Sequence, residues 1–155
     1  MLKPRAKTGF AFCLAVFCPG LAFAQMPPDD LQKIEEAAPR HASVKPQQPR
    51  KLLVFTRAEG YKHSSIPYAA KALELIGKQT GAFTTVASAE MSAFTPDNLQ
   101  QFDAVLFAST TQLIFEDLAL RQSLMAFVKS GKGIIGIHAA TDNFYNWPEA
   151  ADMMG

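Results

Sequence analysis

The stretch Gly133-Ile134-Ile135-Gly136-Ile137-His138-Ala139-Ala140-Thr141-Asp142 ends an aliphatic run on a histidine and follows it with small side chains. Imidazole is the side chain best suited to moving protons near neutral pH. A second histidine, His63, closes the segment Glu59-Gly60-Tyr61-Lys62-His63, so two imidazoles and two carboxylates, Glu59 and Asp142, are available to one pocket. Such a set suits proton transfer. His63 and His138 could equally hold a divalent ion of the zinc type, since histidine and aspartate are donors it prefers. The spacing 63, 138, 142 is no metal motif by itself, and both chemistries stay open. Structural readings stand beside them. His63 could bond locally at a helix start, and His138 could be a core residue satisfied by backbone groups, because an unsatisfied buried polar group costs roughly 1–3 kcal/mol. Tyr145 and Trp147 read as packing residues or as a stacking platform for a sugar ring. His41 lies among prolines and reads as a solvated bystander.

Those residues need elements to carry them. Leu52–Phe55, Ala104–Ala108 and Ile134–Ile137 are continuous apolar runs too short for helices, and such runs suit strands covered on both faces of a parallel sheet. Phe83–Val86 is more polar and reads as a fourth strand near an edge. Ile66, Ala69, Ala70, Leu73 and Ile76 repeat at helical spacing, with Ser64 or Ser65 able to cap the start, Pro67 in the first turn and Gly81 suited to the end. Thr95-Pro96-Asp97 starts a short helical turn. Phe115, Leu118, Leu120, Leu124, Phe127 and Val128 predict a long helix closed by Gly131. The alternation predicts an open α/β sheet with right-handed crossovers. Ligands bind such sheets beyond the carboxyl ends of the strands. One rim should therefore gather Thr56, Arg57, Glu59, Tyr61, Lys62, His63 and Ser64; then Ser109, Thr110, Thr111 and Gln112; then His138, Thr141, Asp142, Asn143, Tyr145, Asn146 and Trp147.

The remaining sequence narrows the class. Lys3, Arg5 and Lys7 precede an apolar run from Phe10 to Cys18, then Pro19-Gly20 and Ala22-Phe23-Ala24. This is the layout of a secretory signal peptide over residues 1–24, with cleavage expected between Ala24 and Gln25 and a periplasmic or secreted product. The run is far shorter than the roughly 20 residues that span a bilayer, so no stable membrane anchor is expected. Both cysteines, Cys13 and Cys18, would leave with the signal, and a mature chain without thiols has no disulfide and no cysteine nucleophile. Three of the 15 basic side chains would also leave, so 12 remain against 14 acidic ones. That slightly acidic balance, without a basic patch, argues against nucleic acid as a partner. Residues 25–50, broken by Pro27, Pro28, Pro39, Pro46 and Pro49, read as a mostly disordered linker or loose arm, with at most two helical turns over Leu31–Ala38. Gly131-Lys132-Gly133-Ile134-Ile135-Gly136 satisfies GxGxxG but ends a helix and enters a strand, the reverse of a dinucleotide fingerprint. No nucleotide cofactor is expected. Ser64 and Ser109 lack the GxSxG surroundings of a hydrolase nucleophile.

Tyr61-Lys62-His63-Ser64-Ser65 after a first strand, followed by GIIGIHAATDNFYNWPE, resembles the trehalose-utilisation (ThuA-like) family over residues 51–155. The resemblance implies the flavodoxin-like fold of class I glutamine amidotransferases and a link to disaccharide or ketosugar breakdown. In those amidotransferases a sharp turn after the equivalent strand carries the catalytic cysteine; His138 stands there in this chain. Glutaminase chemistry needs the thiolate and is excluded, while proton transfer or metal binding is not. Family members continue with further strands, so the chain is expected to be the front part of a longer domain with an incomplete pocket. The leading expectation is a sugar-processing enzyme, a hydrolase or isomerase, with His138, His63 and Asp142 catalytic and Glu59, Tyr61, Ser109, Thr110, Tyr145 and Trp147 binding a sugar or other small molecule. The alternative is a non-catalytic carbohydrate-binding module of a larger secreted enzyme, whose affinity would survive loss of both histidines but not of Trp147.

Overall fold

A computed structural model describes residues 26–155. The expected signal peptide and its cleavage point lie outside these residues. The order of elements is helix α1 (Pro28–Ala37), strand β1 (Lys51–Phe55), α2 (Ile66–Thr80), β2 (Thr84–Ser88), α3 (Pro96–Leu99), β3 (Ala104–Ala108), α4 (Leu118–Lys129), β4 (Gly133–Ile137) and α5 (Pro148–Met154), with short 3-10 turns at Met91–Phe94 and His138–Thr141. All pairings are parallel, in the order β2-β1-β3-β4. This is the flavodoxin-like arrangement, an open α/β sheet as the apolar runs predict.

Alternation along each strand splits the core into two layers. Leu53, Phe55, Val105 and Phe107 face one side with Phe94, Leu99, Phe115, Leu124 and Phe127. Leu52, Val54, Leu106 and Ala108 face the other, where Ala70 and Leu73 of α2 cover them. Leu52–Phe55 and Ala104–Ala108 are therefore continuous because both faces are covered; Ile134–Ile137, expected to be covered likewise, forms an outer strand with no buried residue, and Ile135 is 43% exposed.

Three local expectations change. Phe115 is fully buried but precedes α4, which starts at Leu118 where the Asp117 side chain accepts from Ala119 N at 2.8 Å. Tertiary burial, not helix periodicity, accounts for Phe115, and Leu118 faces outward. Ser65 occupies the cap position of α2 without a side-chain hydrogen bond; Ile66 N instead donates to His63 O at 3.2 Å. Within residues 26–50, Pro28–Ala37 forms a helix that docks on α2, with Tyr68 Oη donating to Asp30 Oδ2 at 2.9 Å and Gln79 Nε2 to Glu35 O at 3.2 Å. A helix this short is marginal alone, so the docking is what holds it.

At the amino ends of the strands, opposite the rim, Asp103 joins the starts of the central strands β1 and β3. Lys51 N donates to it at 2.8 Å, Arg50 Nη1 at 3.0 Å, and Lys132 Nζ stands 3.9 Å away. The Lys51 N–H above all, then the Arg50 bond and the Lys132 and Arg50 charges, hold its carboxyl below the usual range against a smaller opposing effect of burial. A depressed folded pKa gives stability that is present above the unfolded value, about 3.9, and lost as pH falls through the folded one. Asp103→Asn should therefore melt lower than the parent at pH 7, and the gap should close on acidification below about pH 4, near the ordinary aspartate pKa. Thermal melts across that range check it; a gap independent of pH would assign the loss to packing.

Candidate functional site

Crossovers run outward in opposite directions from β1 and β3, which opens a crevice at their carboxyl ends. Three segments meet there: Thr56–Ser65 after β1, Ser109–Asp117 after β3, and His138–Trp147 after β4.

The middle segment holds the other two. On one side Glu59 N and Gly60 N both donate to Thr111 O at 3.0 Å, and Thr111 Oγ1 donates to Tyr61 O at 2.8 Å. On the other side Gln112 N donates to Asp142 O at 2.6 Å. The Asn143 carboxamide, 3% exposed, accepts from Leu113 N at 2.9 Å and donates to Thr110 Oγ1 at 2.6 Å and to Ala140 O at 2.8 Å. Buried polar groups need such partners. Asn143→Ala leaves the Leu113 N–H unpaired in the interior and should lower stability by about 1–3 kcal/mol. Urea unfolding reads this as a lower midpoint; an unchanged midpoint would show that water replaces the carboxamide.

Strain gathers on this rim. Every non-glycine residue with left-handed φ among the described residues stands here: Ser109 (50°), Gln112 (50°), His138 (53°) and Phe144 (63°). Such backbone costs of order 1–3 kcal/mol per residue and clusters at functional sites. At His138 the chain leaves β4 and enters the 3-10 turn at once, with Ala140 fully buried beneath it. The small side chains after the histidine are what let the turn close.

The result is a pair of imidazoles. The His63 and His138 rings lie with centroids 4.6 Å apart at 76°, and Tyr61 meets His63 edge-on at 4.8 Å. Residues separated by 75 positions thus form one group, as the strand-end rule predicts. Tyr61 and Tyr145 are 73% and 74% exposed. Tyr145 Oη donates to Asp142 Oδ1, and that bond to a carboxylate, reinforced by some desolvation, holds the phenol above its ordinary pKa. Asp142, expected to orient His138, uses this oxygen to fix Tyr145.

Other expected ligand residues have different surroundings. Glu59 gives Oε2 to Ile114 N at 2.8 Å and Oε1 to Arg57, at 3.0 Å from Nε and 2.8 Å from Nη2. Ser109 and Thr110 are buried. Trp147, expected to stack on a sugar, is 5% exposed, with its ring centroid 5.6 Å from Phe115 and from Phe144 and the Arg121 guanidinium 5.4 Å from it. Its faces are taken by the protein, and it belongs to an aromatic floor beneath the rim that also includes Phe55, Phe94 and Phe107. The packing alternative for Trp147 describes it better than the platform. Asn143 and Gln112 are structural members of the site that the sequence offered without a role; their only signal was membership of the rim segments.

As a metal centre the donor set is short. Among the described residues no three His, Cys, Asp or Glu side chains form a group that could hold an ion, whereas catalytic zinc takes three protein ligands. Two imidazoles do not fill such a site. No helix among the described residues is long and apolar enough to cross a membrane.

Searches of curated proteins and of solved structures returned no match. The family model described as "ThuA: Trehalose utilisation" matches residues 51–155, the whole span from β1 through α5, and with it the three rim segments and both imidazoles. The chain belongs to the trehalose-utilisation (ThuA) family.

Proposed function

We propose that this protein is an exported sugar-processing enzyme acting on a keto-disaccharide or ketosugar, with His138 and His63 as its proton-transfer pair. Family membership ties the chain to trehalose utilisation; the proton chemistry, the substrate and export to the periplasm are the proposal. The observation that carries it is the His63–His138 pair, 4.6 Å between ring centroids at the carboxyl ends of the strands. One imidazole accepts a proton from the carbon beside a carbonyl while the other donates one to the carbonyl oxygen, giving an enediol. In the second half the protonated imidazole delivers its proton to the former carbonyl carbon while the other takes the hydroxyl proton at the neighbouring carbon, which moves the carbonyl along the sugar and resets both imidazoles. His138, fixed at a strand end in a turn of small residues, suits the carbon; His63, on the loop after β1, suits the oxygen. The exposed rings of Tyr61 and Tyr145 offer flat apolar faces to a sugar.

Incubation of the protein with ketosugars and keto-disaccharides in deuterated water tests this. Deuterium entering the carbon beside the carbonyl, followed by proton NMR, is the expected result; no enzyme-dependent exchange with any of them would end the proposal. The two exposed tyrosines also favour a second reading, a carbohydrate-binding module without catalysis. Its mark is sugar affinity that survives loss of both histidines and disappears when Tyr61 and Tyr145 are removed.

A further inference from the structure

Glu59 stands in the rim segment that carries His63, yet the structure engages both of its oxygens within the protein. Oε2 accepts the Ile114 N–H at 2.8 Å, across the crevice on the segment after β3. Oε1 is held by Arg57, at 3.0 Å from Nε and 2.8 Å from Nη2. A carboxylate bound in this way is a poor sugar ligand, because both of its oxygens already accept from donors within the protein. It is well placed for another task. The same two segments are joined by the Glu59 and Gly60 N–H groups on Thr111 O and by Thr111 Oγ1 on Tyr61 O. The Gln112 side chain lies against Gly60, where a Cβ would come within 2.8 Å of its Cδ. The seam closes immediately before Tyr61-Lys62-His63, and the Tyr61 ring then packs edge-on against His63 at 4.8 Å.

We infer that Glu59 is a positioning residue: its carboxylate, clamped between Arg57 and the Ile114 N–H, fixes the β1 loop so that the His63 ring meets His138. This rests on the proton-transfer reading of the histidine pair and assigns to Glu59 a role apart from substrate contact. The bridge is charge-assisted on the Arg57 side, the stronger kind of hydrogen bond. In Glu59→Gln the single amide oxygen can accept from the Ile114 N–H or from Arg57 but not from both, and the NH₂ then meets the other donor, so one half of the clamp is lost.

The test uses the full chain with isotope-labelled histidine imidazoles. In the parent, a through-space NMR cross-peak between the His63 and His138 ring protons is expected from their 4.6 Å centroid separation. Its absence in the parent would overturn the paired-imidazole reading itself. With the parent peak present, Glu59→Gln should lose it while circular dichroism and thermal unfolding still report a folded, cooperative protein. Retention of the peak at parental intensity would overturn the role of Glu59 and leave the pair standing. Should Glu59→Gln fold poorly, Arg57→Gln removes the other half of the clamp from a more exposed side chain, and the same two outcomes decide. A purely structural role would lower the melting temperature without moving the cross-peak.

Discussion

Exchange of His138 for alanine should lower turnover on a ketosugar by about 10²–10⁴-fold, the usual worth of a positioned general acid or base, and leave a cooperatively folded protein. Loss of deuterium exchange in step with turnover would place the imidazole at the carbon proton. Unchanged turnover on a verified substrate would remove His138 from the chemistry and leave the binding reading. A glycine at the same place separates chemistry from folding. His138 sits at φ 53°, a conformation that costs a side chain about 1–2 kcal/mol and costs glycine little. Glycine gives back about 0.5–1 kcal/mol through its greater freedom when unfolded. His138→Gly should therefore be as inactive as His138→Ala but melt at a higher temperature. A glycine variant that melts below the alanine variant would show that the left-handed turn is not strained.

Truncation of Trp147 to alanine should cost about 3–5 kcal/mol, the range for emptying a large aromatic site in a packed interior. The ring is 5% exposed and lies between Phe115, Phe144 and the Arg121 guanidinium. Typical domains have a net stability of only 5–15 kcal/mol, so the variant should unfold at markedly lower urea concentration. Trp147→Phe keeps most of the apolar volume and should recover much of the loss. Sugar affinity measured below the unfolding transition should then be close to parental. A stable phenylalanine variant that binds no sugar would reverse the assignment and return the indole to the ligand site.

Much of this arrangement was legible in the residues because it depends on short-range pattern. Leu52–Phe55 and Ala104–Ala108 carry their two-sided burial in their composition, whereas Ile134–Ile137, also apolar throughout, forms an outer strand with no buried residue; a parallel sheet then brings its strand ends to one rim by geometry alone. His63 and His138 could be placed together without any contact being known. What the residues hid depends on non-local burial. Asn143 looks like any loop asparagine until the segments after β3 and β4 close over it. Glu59 reads as a free acid until Arg57 and the Ile114 N–H reach it. Phe115 matches a helical period by coincidence with α4 and is buried from a loop instead. The α1 helix, of which the residues offered two turns over Leu31–Ala38, has no buried residue of its own, and its contact with α2 is what the sequence did not show.

The aromatic floor beneath the imidazoles has an optical consequence. Trp147 is the single tryptophan of the chain, and it lies in the segment that begins at His138. Its emission therefore reports on one place in the molecule. Phe144 and the Arg121 guanidinium pack against that indole, so any change in their packing on titration with unlabelled sugars would be read from intrinsic fluorescence, with no dye and no knowledge of the reaction.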